Sequence, residues 1–135
     1  MLKSRAVRMS MLIAGGAVVL GATAGVAYAV ADNVNAPYAQ AAVRVQADGA
    51  IARAKGIDSV TKPAAGTYCV KFTNPGFRFN DVIITSTSHT FGHWPLVAPA
   101  GNQCGNDANT VRVLMNALNN ANGAYTDASF SIAVH

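Results

Sequence analysis

The feature that most constrains this chain is period-two alternation in runs too short for helices, each closed by a turn signal. Tyr68, Val70 and Phe72 alternate with Cys69 and Lys71. Phe130, Ile132 and Val134 alternate with Ser129, Ser131 and Ala133, and Val43, Val45 and Ala47 alternate with Arg44 and Gln46. Successive side chains on a strand point to opposite faces, so each run carries one apolar face and one more polar face. The breaks between runs have their own chemistry. Asp48-Gly49 reads as a two-residue hairpin turn, because glycine accepts the positive φ that such a turn needs. Asn74-Pro75-Gly76 reads as a turn in which Pro sets φ and Gly relieves the next position.

The other segments extend the pattern. Ile51–Ala54 returns as a partner strand, Gly56 breaks it, and Ile57–Thr61 resumes with Ile57 and Val60 inward. Lys62–Gly66 reads as a Pro/Gly loop, and Val82–Thr87 as a strand rich in β-branched residues. Phe77–Asn80 is ambiguous. Ser88–Asn109 carries Pro95, Pro99, Gly92, Gly101 and Gly105 without periodicity and reads as a long loop. Val111–Leu118 fits two patterns: Val111, Val113, Met115 and Ala117 as a strand, or Val111, Leu114, Met115 and Leu118 as a helix face. The expected class is all-β, a small antiparallel β-sandwich or partly rolled sheet of about six or seven strands.

The first residues read as a secretory signal. Met1–Ser10 holds Lys3, Arg5 and Arg8 without an acid, Met11–Leu20 is apolar, and Ala27-Tyr28-Ala29 has the small residues a signal peptidase reads. The division is then 1–29 signal peptide, 30–41 flexible N-terminal arm and 42–135 β-rich domain. Cleavage after Ala31 fits the same rule. The alternative is a retained anchor, since Met11–Val30 is 20 residues without a charge, and about 20 apolar residues span a bilayer. The Ala and Gly content, and the lack of a basic cluster after the run, favour cleavage and a secreted product with no membrane attachment. Ten Lys and Arg against six Asp give a net charge of +4. Three of the ten lie in the leader, so the exported part holds seven against six, a net of +1. Its basic residues are scattered along the chain, which argues against nucleic acid as a partner.

Cys69 and Cys104 are the two cysteines, both in the exported part. In an oxidising compartment they are expected to pair. Closing a loop of about 35 residues stabilises by roughly 3–4 kcal/mol on the chain-entropy argument. Two free buried thiols are the alternative. A metal site would need further ligands at short spacing, and none flank either cysteine.

Catalytic patterns are weak. His89 and His93 would share a face of a helix and could hold a metal there, but Gly92 and Pro95 oppose a helix. The chain has no Glu to serve as base or ligand. No G-x-S-x-G elbow occurs, and Ser86 or Ser88 beside His89 does not make a triad, whose members usually meet from distant segments. Six scattered aspartates do not make a carboxylate pair. The reading assigns no catalytic residue, cofactor or metal, and the protein is taken as a non-enzyme. Phe91, His93 and Trp94 form the one aromatic cluster that suggests a contact surface, for a cell-surface polysaccharide or protein. The crosslink would hold their loop in few conformations and lower the entropy lost on binding. In the alternative Trp94 plugs the edge of the core, and the protein is structural or envelope-associated with no ligand. A metal-dependent secreted enzyme is the third reading.

The order of motifs carries a resemblance. Ala42-Val43-Arg44-Val45-Gln46-Ala47-Asp48-Gly49, then Gly56-Ile57-Asp58-Ser59-Val60, then Gly66-Thr67-Tyr68-Cys69-Val70-Lys71-Phe72, resembles a module of uncharacterised small secreted actinobacterial β-domain proteins. Thr126–Val134 is similar to the way that module closes. A comparable succession recurs in C-terminal β-domains of phage tail fibres. The resemblance covers about Ala42–Val134 and implies a β-fold shared with surface-binding modules. Its motifs are mainly turn and strand signals and carry no functional residue over, and the segment from His89 to Cys104 departs from the pattern, which argues against inheriting a binding site from tail fibres.

Overall fold

The structure, a computed structural model, describes residues 28–29 and 32–135. The leader expected over 1–29 lies outside the described residues apart from its last pair. The strands are β1 (Tyr28–Ala29), β2 (Ala41–Val45), β3 (Ile51–Lys55), β4 (Ile57–Ala64), β5 (Thr67–Phe72), β6 (Ile84–Ser88), β7 (His93–Pro99), β8 (Thr110–Ala117) and β9 (Phe130–Val134). One sheet has the order β1-β4-β5-β8-β7 and the other β3-β2-β9-β6, with antiparallel pairing throughout. β1 is a two-residue pairing against β4, and the eight longer strands make two sheets of four. The expected antiparallel sandwich is what the chain forms. Its tightest crossings between sheets are at Gly56, from β3 to β4, and at residues 89–92, from β6 to β7.

The alternating runs supply the core. Tyr68, Val70 and Phe72 of β5, Val111, Val113 and Met115 of β8, and Phe130, Ile132 and Val134 of β9 are all buried between the sheets. This settles the segment as a strand, Thr110–Ala117, since Val111, Val113 and Met115 face inward together. Tyr68 meets Phe130 edge-on at 5.0 Å, and Phe72 stacks on Phe77 at 4.2 Å. Aromatic pairs of this kind add about 0.5–1.5 kcal/mol beyond the area they bury.

Three expected boundaries are corrected. The first hairpin turns through Ala47, Asp48 and Gly49 rather than two residues. Gln46 donates to the Ala50 carbonyl, Gly49 donates back to Gln46, and Gly49 has φ 92°. This is the three-residue arrangement, in which a turn is followed by one glycine of positive φ. The Asp48 carboxylate supports it by accepting from the Ala50 N–H at 2.9 Å. Next, β4 does not end before Lys62 but continues to Ala64. Among the described residues β4 is paired on one side only at Pro63, where a missing N–H is tolerated. The largest correction is that Ser88–Asn109 is not a structureless loop. It contains the seven-residue strand β7 and a short 3-10 turn at Asn102–Cys104. β7 is the eighth strand, which alternation did not count.

Asp32–Gln40, the expected arm, runs along the outer edge of β3. Asn33 donates its backbone N–H to Ala54 at 2.7 Å and accepts the Ala54 N–H on its side-chain oxygen at 2.8 Å. Lys55 clamps the arm by donating to the carbonyls of Ala36 and Ala39 at 2.9 and 2.7 Å. The edge of that sheet is thereby covered, which removes a row of donors and acceptors open to unwanted pairing.

Candidate binding face around Trp94

β7 exists because its two prolines fall at positions where a missing N–H does no harm. The Leu118 N–H donates to Gly92 O at 2.7 Å, so even-numbered residues of β7 bond to β8. Pro95 and Pro99 are odd-numbered, and their ring nitrogens point to the free edge. Alternation then turns Trp94, Leu96 and Ala98 to the outer face of the sheet.

On that face Trp94 lies opposite Asn116, and Leu96 opposite Leu114. Trp94 is 47 % exposed and Leu96 50 %, and Leu118 continues the apolar patch beyond the end of β8. A groove beside the indole is lined by Asn116, Ala117, Asn119, Asn120 and Gly123. The lower part of the same face is covered. Cys69, outward on β5, is bonded to Cys104 with its Cα 5.5 Å away, and residues 100–109 fold back over the strand. Arg112, opposite both Cys69 and Ala98, lies beneath this segment. Its guanidinium comes within 3.3 Å of where a side chain on Gly101 would begin, a close approach at a glycine of φ +63°. The buried Nε of Arg112 has no hydrogen-bond partner among the described residues.

Phe91, His93 and Trp94 are placed apart. Phe91 is fully exposed at the tip of the β6–β7 turn. His93 faces away from Trp94: its Nδ1 lies 3.1 Å from Phe91 O and its Nε2 2.9 Å from Thr126 Oγ1, so the ring ties the turn to the β8–β9 connection. In a loop the three could share a surface, but consecutive residues of a strand must oppose one another. Trp94 remains on the open face, outside the buried core. Sequence reasoning missed Leu96, Asn116, Leu118, Asn119 and Asn120. The signal for Leu96 was the alternation of Trp94, Leu96 and Ala98, masked by the prolines between them.

The face offers stacking and amide hydrogen bonds, with no acid or base beside the indole among its lining residues. His89, four residues before His93, sits on the outer face of the other sheet with Nε2 2.6 Å from Ser131 Oγ. Among the described residues no three of His, Cys and Asp converge as a metal site would require. The disulfide belongs to a non-reducing environment. Comparison with protein-family models, curated proteins and solved structures finds no match to this chain.

Proposed function

We propose that the protein is a secreted binding module that engages an extracellular or cell-surface partner through the face around Trp94. The observation that carries this is the placement of the chain's single Trp, half exposed beside Leu96 and Leu118 on a crosslinked sheet. A large indole left open to water on a rigid face is a cost to a protein that binds nothing there, whereas Trp is a favoured anchor in contact surfaces. The amides of Asn116, Asn119 and Asn120 supply directional bonds around it. The disulfide and the signal-like leader support an extracellular setting.

The test is retention on cell-wall and whole-cell surface material, comparing the parent with Trp94→Ala. The expected result is strong loss of retention with an unchanged far-UV spectrum, because the side chain lies outside the core. Equal retention by both proteins would remove the binding face and leave a structural, envelope-associated role.

A further inference from the structure

The second sheet has an outer face of different chemistry. One row of cross-strand partners runs across all four of its strands: Arg53 on β3, Arg44 on β2, Ser131 on β9 and Thr87 on β6. The neighbours Val43, Ala54, Ile132 and Phe130 are buried, so alternation turns the whole row outward. Arg44 and Arg53 are exposed and directly opposite, an arrangement that is unfavourable on its own. The ion pairs among the described residues are Lys62–Asp127 and Lys71–Asp107, and neither includes these arginines. None of the four strands contains an acidic residue. Arg53 reaches one carbonyl, that of Asn33, at a long 3.4 Å. A groove beside the row is lined by Val34, Ala42, Arg44, Thr85, Thr87 and Ser131.

We infer that this face binds a phosphate chain, the repeated anionic groups of a phosphate-bearing surface polymer. Guanidinium groups pair with phosphate oxygens through two parallel N–H donors, and the hydroxyls of Thr87 and Ser131 add further donors in the same row. When the His89 ring N–H donates to Ser131 Oγ, the serine proton is free to point into the groove. An anion between Arg44 and Arg53 turns their repulsion into attraction. Neighbouring strands are about 4.8 Å apart, so the row spans roughly 14 Å, longer than a single phosphate. The row therefore suits a chain of phosphates better than an isolated ion. This site lies on the sheet opposite the Trp94 face and does not depend on it.

The experiment is calorimetric titration of the purified protein with sodium tripolyphosphate and with orthophosphate at low salt. Tripolyphosphate is expected to bind at least about tenfold more tightly than orthophosphate, and more weakly as salt is added. The Arg44→Gln/Arg53→Gln variant should lose at least about tenfold in affinity, as expected for removal of charge-assisted hydrogen bonds. The charge-matched variant Lys71→Gln/Arg78→Gln and the variant Trp94→Ala should keep the parent affinity. In the unsubstituted protein, amide resonances of Arg44, Thr87 and Ser131 should shift with ligand. Equal loss in the two charge variants, or shifts elsewhere, would overturn the site. Equal affinity for orthophosphate would overturn the polymer assignment. Loss of phosphate binding in Trp94→Ala would overturn its independence from the Trp94 face.

Discussion

The Tyr68 hydroxyl donates to the carbonyl of Ala47 at 2.6 Å and accepts from the backbone N–H of Ala128 at 3.3 Å. One phenol thus joins the first hairpin to the segment that enters β9, from a side chain with no exposure to solvent.

That burial makes Tyr68 a handle on stability. Loss of hydration pushes its pKa from 10.0 up to about 12, with the Ala128 N–H opposing and the charges of Asp127 and Asp48 adding. The folded chain therefore holds this proton more tightly than the unfolded one. The contribution is complete below pH 10 and is lost as pH rises through about 12. Over that window it amounts to roughly 2–3 kcal/mol. Tyr68→Phe should cost about 1–2 kcal/mol at neutral pH, because Ala47 loses its donor. It should also flatten the alkaline decline. Urea unfolding at pH 8 to 12 measures both, and parallel declines in parent and variant would show that Tyr68 does not govern this window.

A second expectation concerns the open edge of β7. Pro95 and Pro99 place no N–H on that edge, so another strand finds fewer donors there. Pro95→Val/Pro99→Val restores two donors and extends an exposed edge next to Trp94 and Leu96. The variant should associate in a concentration-dependent manner that the parent does not show, as read by sedimentation velocity. Identical sedimentation over the same concentrations would mean that the prolines do not guard the edge.

The two prolines also explain what could and could not be read from the chain. Alternation located the inward faces of β5 and β9, because a residue such as Val70 or Ile132 has one apolar environment available and its neighbours at ±2 share it, whereas β8 fitted a helix face as well. β7 follows the same alternation, but Pro95 and Pro99 are signals of a loop unless the strand is known to be an edge. That depends on the pairing with β8, which lies beyond the Cys104 segment. Misreading β7 as a loop also put His93 and Trp94 on one surface. The partners of Trp94 were illegible for a related reason. Asn116 meets it through a register set by the whole sheet, at a position 22 further along the sequence. The Arg53–Arg44–Ser131–Thr87 row draws on four separate strands, so no local motif announces it. The disulfide was easier, since a chain with two cysteines leaves one intramolecular pairing.

The last expectation separates two glycines with nearly the same backbone. Gly66 has φ +62° and Gly123 φ +63°, so an alanine meets the left-handed penalty at both, about 1 kcal/mol. Their surroundings differ. A Cβ on Gly66 would lie 2.4 Å from the backbone nitrogen of Thr126 and 2.6 Å from the carbonyl carbon of Tyr125, whereas a Cβ on Gly123 would meet nothing within 4 Å. The obstructing atoms at Gly66 are backbone and cannot rotate away. They are also held: Gly66 N–H donates to Asp127 Oδ1 at 2.6 Å, Met115 N–H to Gly66 O at 2.8 Å, and Thr126 N–H to Met115 O at 3.0 Å. Moving the 125–127 segment would strain these bonds and the 2.9 Å ion pair of Lys62 with Asp127. Gly66→Ala should therefore add an overpacking cost of about 1–3 kcal/mol to the backbone penalty, for a total of about 2–4 kcal/mol, while Gly123→Ala stays near 1 kcal/mol. Urea midpoints of the two variants compare them directly. Equal losses would show that the chain between β8 and β9 does not rest on the β4–β5 turn, and the tie between Gly66 and Asp127 would fail with it.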